Sequence, residues 1–166
     1  MITSWRITTV EYAASAFDGK GAFVNGGRWN SRGVRMIYTP SSAALAALEL
    51  LVRIRRRESL RKYVLLACSF EEQLMRRLTP KDLPDDWRAS PAPAPLQQIG
   101  DAWIAQDQDA VLEVPSAIIE TEFNYLLNPR HRDFRKIKIA DAIPFSLDLR
   151  LLRDSGFGIR AEPGAP

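Results

Sequence analysis

Three features of this 166-residue sequence predict an α+β domain. Short β-branched or aromatic runs interleave irregularly with helical patterns, unlike the steady alternation of a doubly wound sheet. No internal repeat is present. The length suits one core, because a domain of this size buries roughly 70% of the surface its unfolded chain exposes. We expect a single domain over residues 1–153 and a frayed tail, 154–166, rich in Gly, Pro and Ala.

Trp5 to Val10 reads as a first strand and Tyr12 to Phe17 as a short helical turn. Val34 to Thr39 is apolar and β-branched enough for a second strand, which Pro40 ends. Ser41 or Ser42 caps the helix that follows. From Ala43 to Val52 every residue but Glu49 is apolar, so this helix is expected to be buried around most of its girth. Lys62 to Phe70 reads as a third strand with Cys68 as a small core residue. The proline-rich stretch Thr79 to Pro95 is a long surface loop in this reading rather than a domain boundary. Leu96 to Gln106 returns to helical spacing, with Ile99, Trp103 and Leu96 inward. Ala110 to Val114 is a strand broken by Pro115-Ser116, and Ile118 to Glu122 resumes it. Phe123 to Leu127 looks like a helical turn closed by Asn128-Pro129, and Phe134 to Ala140 like a last strand.

Composition narrows the functional classes. The apolar share of 46% and charged share of 26% are those of a soluble globular chain. No apolar run is long enough to span a bilayer, and Met1 to Arg6 has no signal-peptide pattern, so no membrane association and a cytoplasmic location are expected. A single cysteine and a single histidine leave no internal disulfide and no zinc-type ligand set. No EF-hand spacing appears, and no metal is expected, although a site built of carboxylates alone stays open. The net charge of +3 and pI near 9.2 raise the question of nucleic acid. The basic run Arg53, Arg55, Arg56, Arg57, Arg61 and Lys62 falls where the apolar helix ends, and cations there complement its carbonyls by about 0.3–1 kcal/mol each. The second patch, Arg130 to Lys138, alternates with apolar residues as a strand would. With no recognition motif beside either patch, direct nucleic-acid binding is not expected.

Five of the nine glycines fall between Gly19 and Gly33, around Gly26-Gly27-Arg28-Trp29-Asn30. Backbone N–H donors, a guanidinium and an indole lie within five residues there, parts suited to a phosphorylated ligand that carries an aromatic ring. Glu49 is the sharpest single residue. Buried and unpaired in an apolar helix it would cost several kcal/mol, so it either joins a structural ion pair or faces a cavity, with Arg28 as partner or neighbour. Ser116 sits at a strand break, where a serine serves as turn former or as cleft residue. Tyr38, at a strand end, reads more readily as core than as site. The dinucleotide-turn fingerprint fails at Val24, there is no Gly-Lys-Ser/Thr phosphate loop, and no Gly-x-Ser-x-Gly elbow surrounds Ser116 to support a Ser116–His131 hydrolase.

The pieces Trp5-Arg6-Ile7, Gly19-x-Gly21-Ala22, Gly26-Gly27-Arg28-Trp29-Asn30, Tyr38, Ala46-x-x-Glu49, Gly100-Asp101-x-Trp103, Val114-Pro115-Ser116-Ala117 and Asn124-x-x-x-Asn128-Pro129-x-His131 occur in this order over about residues 5–150. As an ordered set they resemble the RES domain family, toxins of toxin–antitoxin pairs. The resemblance implies an ADP-ribosyltransferase-like fold, with a split, mostly antiparallel β-sheet core, flanking helices and a cleft for NAD⁺. It implies cleavage of the nicotinamide–ribose bond by water or phosphate, or ADP-ribosylation of a protein. Carried over by position, Glu49, Arg28 and Ser116 are the catalytic candidates, and Arg28, Tyr38, Gly27, Trp29 and Asn124 the NAD⁺-binding ones. The partner implied is an Xre-type helix-turn-helix antitoxin; a homodimer or a hetero-oligomer stays open. The rival reading is a non-catalytic module whose Arg28 loop and basic face dock a protein or nucleic acid.

Overall fold

A computed structural model describes residues 1–53 and 62–152. Among the described residues eight strands form two sheets, accompanied by three α-helices. In the first sheet β1 (Ile2–Thr9) pairs antiparallel with β3 (Tyr63–Phe70), Trp5 opposite Ala67. The far edge of β3 takes two short strands, β7 (Lys138–Ile139) and β8 (Ile143–Phe145). The second sheet runs β2 (Ile37–Pro40), β6 (Phe123–Leu127), β5 (Val111–Pro115), β4 (Met75–Arg77), antiparallel except for the β4–β5 pair. The expected split, mostly antiparallel α+β architecture is thus the one observed.

Both faces of the second sheet are covered. Ile37, Val111, Tyr125 and Leu127 pack toward Cys68, Phe70 and Ile137, while Leu112, Val114 and Leu126 pack against Trp29, Met36 and the helix α3 (Ala94–Gln106) through Leu96 and Trp103. A strand buried on both sides needs no polar face, which is why all of β5 is buried and its sequence is nearly all apolar. Each such Leu or Val contributes roughly 1.5–3 kcal/mol on burial. A buried polar chain ties the sheets together where β1 meets β2. Ser4 donates to Thr39 (2.9 Å), Thr39 donates to the Tyr125 carbonyl (2.9 Å), and Ser4 Oγ lies 3.0 Å from Cys68 Sγ.

Several expectations are corrected. Phe123–Leu127 is the strand β6 and not a helical turn: a short apolar run has no resolvable period, and pairing with β2 and β5 on both sides decides its conformation. Residues 118–122, expected as strand, form a turn. Within 134–140 only Lys138–Ile139 is strand; residues Arg132–Lys136 form a 3₁₀ turn capped by the His131 imidazole, which accepts from the Asp133 amide. β4 and β8 were not anticipated. The helix α2 (Ala43–Arg53), capped by Ser42 Oγ at the Leu45 amide, is not buried around most of its girth, since only Leu45 and Ala46 are buried and Val52 is 73% exposed. The proline-rich stretch is no mere surface loop, because it buries Leu83 and Trp87 in the core cluster of Trp29 and Trp103. Most of the first basic run and the tail lie outside the described residues.

Candidate functional site

The glycine-rich segment folds around α1 (Lys20–Asn25), which is bracketed by Gly19 and Gly26, both at φ +71°, a conformation L side chains rarely adopt. Beyond it Gly27 and Asn30 close a tight loop, the Gly27 amide donating to the Asn30 carbonyl (2.9 Å). Asn30 is wholly buried and knots this loop. Its Nδ2 lies 3.0 Å from the carbonyls of Ala22, Ser31 and Val34, and its Oδ1 accepts from the Tyr38 hydroxyl (2.7 Å), which accepts in turn from the Trp29 amide (3.1 Å). Any Cβ at Gly27 would sit 2.5 Å from that hydroxyl. Burial keeps the Tyr38 phenol well above its usual range, so it stays protonated and donates. α3 braces the loop from behind: Gln97 donates to the Gly27 carbonyl, Asp101 accepts from the Ser31 amide, and Gly100 touches the Trp29 backbone so closely that a Cβ would overlap its carbonyl.

The loop forms one wall of a cavity of about 570 Å³, a size that suits a small-molecule ligand. The lining also includes Glu49 and Arg53 from α2, Asn124 from β6, Pro115 at the end of β5, and Ala117 and Ile118 beyond it. Glu49 is 14% exposed. Its Oε1 accepts from Asn124 Nδ2 at 2.7 Å, and its Oε2 accepts from Arg53 Nη2 at 3.3 Å. The carboxylate is therefore aimed by two donors from different elements. Arg28 shares the cavity with Glu49 but not an ion pair. Its Nη1 and Nη2 donate to the carbonyls of Trp87 (2.7 Å) and Ala89 (3.1 Å), so the proline-rich stretch anchors this guanidinium. Burial lowers the Arg28 pKa and the charge of Glu49 opposes that shift. Arg28 keeps unused donors for a ligand, because a guanidinium carries five N–H groups.

Of the residues singled out from the sequence, Glu49, Arg28, Tyr38, Gly27, Trp29 and Asn124 line this one cavity. Trp29 is only 2% exposed and belongs to the core cluster, so its indole is a wall and not a free stacking platform. Ser116 does not line the cavity. It is wholly buried, and its Oγ accepts from the amides of Ile118 and Ile119 (3.2 Å each), holding the turn that carries Ala117 and Ile118 to the rim. His131 is likewise used as a cap, and no hydrogen bond joins it to Ser116 among the described residues. Sequence reasoning missed Arg6 and Arg53 as cavity residues and Asn30 as the loop's knot. Asn30 was visible as a short amide inside a glycine-rich turn. Arg6 had no comparable signal, since a cation in a strand ordinarily marks its wet face. Among the described residues no three His, Cys, Asp or Glu side chains converge as metal ligands, and no helix is long and apolar enough to cross a membrane.

Two sheets, mostly antiparallel, and a cavity lined by one carboxylate and three guanidinium groups define an α+β domain with a charged candidate site. Comparison with known proteins gives the family: the RES domain description matches residues 3–148, and this chain belongs to the RES domain family. It is 40% identical over 148 residues to a protein named Toxin Res from Yersinia enterocolitica, covering 89% of this chain and 97% of that one. It is 36% identical over 159 residues to a Sphingobium protein named Prs ADP-ribosylating toxin, covering 92% and 99%. Its fold is similar to that of a chain in the crystal structure of the M. tuberculosis MbcT–MbcA toxin–antitoxin complex, with TM-score 0.74 at 19% identity over 87% of this chain and 84% of that chain.

Proposed function

We propose that this protein is the toxin of a toxin–antitoxin pair and breaks the nicotinamide–ribose bond of NAD⁺. The observation that carries the reading is Glu49, a carboxylate in an apolar helix, aimed by Asn124 and Arg53 into a cavity that also holds Arg28. The names of the relatives, a Res toxin and an ADP-ribosylating toxin, support the same reading. In the reaction the bond from ribose C1′ to the pyridinium nitrogen breaks, its electron pair leaves with nicotinamide, and positive charge develops on the ribose. The leaving group departs neutral and needs no proton, so one carboxylate suffices where ordinary glycoside hydrolysis uses two. Glu49 stabilises the ribosyl cation in a preorganised site and Asn124 holds Glu49 in register. Arg28 and the loop amides grip the pyrophosphate, and Tyr38 packs beside the nicotinamide end. Ser116 is a positioning residue, acting through the turn it holds.

Water, phosphate or a protein side chain completes the reaction. The Sphingobium relative's name favours transfer to a protein as the second reading. The partner is an antitoxin that closes the cavity, of the Xre helix-turn-helix type, and the protein works in the cytoplasm, where NAD⁺ is available. The test is to incubate the purified chain with NAD⁺ labelled in its adenylate half, with and without phosphate and cell extract. Free nicotinamide with ADP-ribose or its 1-phosphate supports cleavage to a small acceptor, and label on a macromolecule supports transfer. NAD⁺ left intact in every mixture rejects the proposed reaction.

A further inference from the structure

Three consecutive residues of the proline-rich stretch hold two parts of the cavity lining at once. The carbonyls of Trp87 and Ala89 accept from the Arg28 guanidinium, at 2.7 and 3.1 Å. Arg88, between them, has other partners: its Nε and Nη2 donate to the Ala117 carbonyl, 3.3 Å each, and its Nη1 pairs with the Glu120 carboxylate. Arg28 and Ala117 both line the cavity, whereas Arg88 does not, so it can act on the site only through what it holds. The stretch has a firm footing, because the Leu78 amide donates to the Glu113 carbonyl (2.9 Å) and Leu83 and Trp87 are buried in the core. Residues 87–89 are therefore a bridge between the glycine-rich loop and the turn after β5.

The two attachments of the bridge differ in strength. Trp87 is buried, while the Arg88 and Glu120 side chains are 44% and 63% exposed, and an ion pair so exposed is weak and screened by salt. Nor does the turn need Arg88 to fold. Ser116 Oγ accepts from the Ile118 and Ile119 amides, the Ser116 amide donates to the Glu122 carbonyl (2.9 Å), and the Glu122 amide donates to the Ile119 carbonyl (3.0 Å). What Arg88 adds is the placing of that finished turn against residues 87–89. A guanidinium suits the task, since its fork reaches a carbonyl and a carboxylate together.

We infer that Arg88 is a positioning residue for ligand binding: with Glu120 it latches the turn to the proline-rich stretch and so fixes Ala117 and Ile118 relative to Arg28. The inference rests on the proposed function for the identity of the ligand, NAD⁺, but the latch itself does not depend on turnover.

The experiment compares wild type with Arg88→Gln, Arg88→Lys, Glu120→Gln and the Arg88→Gln/Glu120→Gln pair. Nicotinamide release from NAD⁺ is followed at low and high potassium chloride, and hydrogen exchange is measured across residues 116–122 of the ligand-free chain. Arg88→Gln is expected to raise KM by about 3- to 10-fold with kcat within about 2-fold and the melting temperature within a few degrees, Arg88→Lys lying between. The KM ratio to wild type should shrink at high salt, and the two substitutions together should do no more than Arg88→Gln alone, as for partners in one contact. Unchanged KM, additive effects of the two substitutions, or a loss of kcat alone overturns the inference. Exchange across 116–122 should be faster in Arg88→Gln, and unchanged exchange overturns the latch whether or not NAD⁺ is cleaved. Faster exchange with no nicotinamide released by wild type supports the latch and rejects the proposed reaction, so the two failures are distinct.

Discussion

Asn124 donates to Glu49 Oε1 at 2.7 Å while its own Oδ1 lies buried without a partner. The contact fixes the amide, because turning it over would set oxygen against a carboxylate oxygen. The free Oδ1, on a residue of the cavity lining, is then available to a ligand donor such as a ribose hydroxyl. Glu49→Gln keeps an acceptor for Asn124 and removes the charge together with the acceptor for Arg53, whose side chain is largely exposed and turns to solvent. We expect kcat for nicotinamide release to fall by about 10²- to 10³-fold with the melting temperature within a few degrees of wild type. Wild-type turnover in that variant would take the Glu49 charge out of the chemistry.

Arg28 spans two tasks, facing the cavity and holding the Trp87 and Ala89 carbonyls. Lysine reaches one acceptor as a point charge but not two diverging carbonyls plus a ligand. Arg28→Lys should therefore lower kcat/KM by about 10- to 100-fold, mostly through KM, and should speed proteolytic cutting within residues 79–95. Steady-state kinetics together with limited proteolysis check both effects. Loss of kcat alone, with the loop still protected, would mean that Arg28 acts only on the transition state.

Gly100 and Gly21 make a controlled pair. A Cβ at Gly100 would overlap the Trp29 backbone, which neither α3 nor the loop can yield without moving Trp29 out of the core. Gly100→Ala should cost about 2–4 kcal/mol in urea unfolding. Gly21 lies within α1 and nothing stands within 4 Å of its added Cβ, so Gly21→Ala should be neutral or stabilising by up to about 1 kcal/mol. Equal effects at the two positions would contradict the close approach of α3 to the loop.

The site was readable from sequence where a residue was out of place in its surroundings. Glu49 stood out as a carboxylate in an apolar run and Arg28 as a cation among glycines; both face one cavity. What was not readable depends on partners distant in sequence. β6 became strand because β2 and β5 flank it, and Trp29 became core because α3 arrives over it, facts with no trace in the local pattern. The apolar face of α2 reads as core by composition, yet Leu48 and Val52 remain exposed because the neighbouring sheets cover only the Leu45–Ala46 side. Arg6 was hidden for the converse reason, in that strand alternation places a cation outside by default, whereas here the cavity opens on that face.

Ser116 offers a decision between two roles that the sequence left open. Its Oγ accepts from the Ile118 and Ile119 amides, and it is closed off from the cavity. Removing the hydroxyl leaves those two amides without their acceptor, a loss of about 1–2 kcal/mol by analogy with helix N-caps. Ala117 and Ile118, which line the cavity, would then shift and change its shape but not its charge. Ser116→Ala is thus expected to lower the urea midpoint and raise KM while kcat changes by less than about 5-fold, far short of the loss at Glu49→Gln. A kcat loss as large as that of Glu49→Gln, with stability unchanged, would instead place the hydroxyl in contact with substrate.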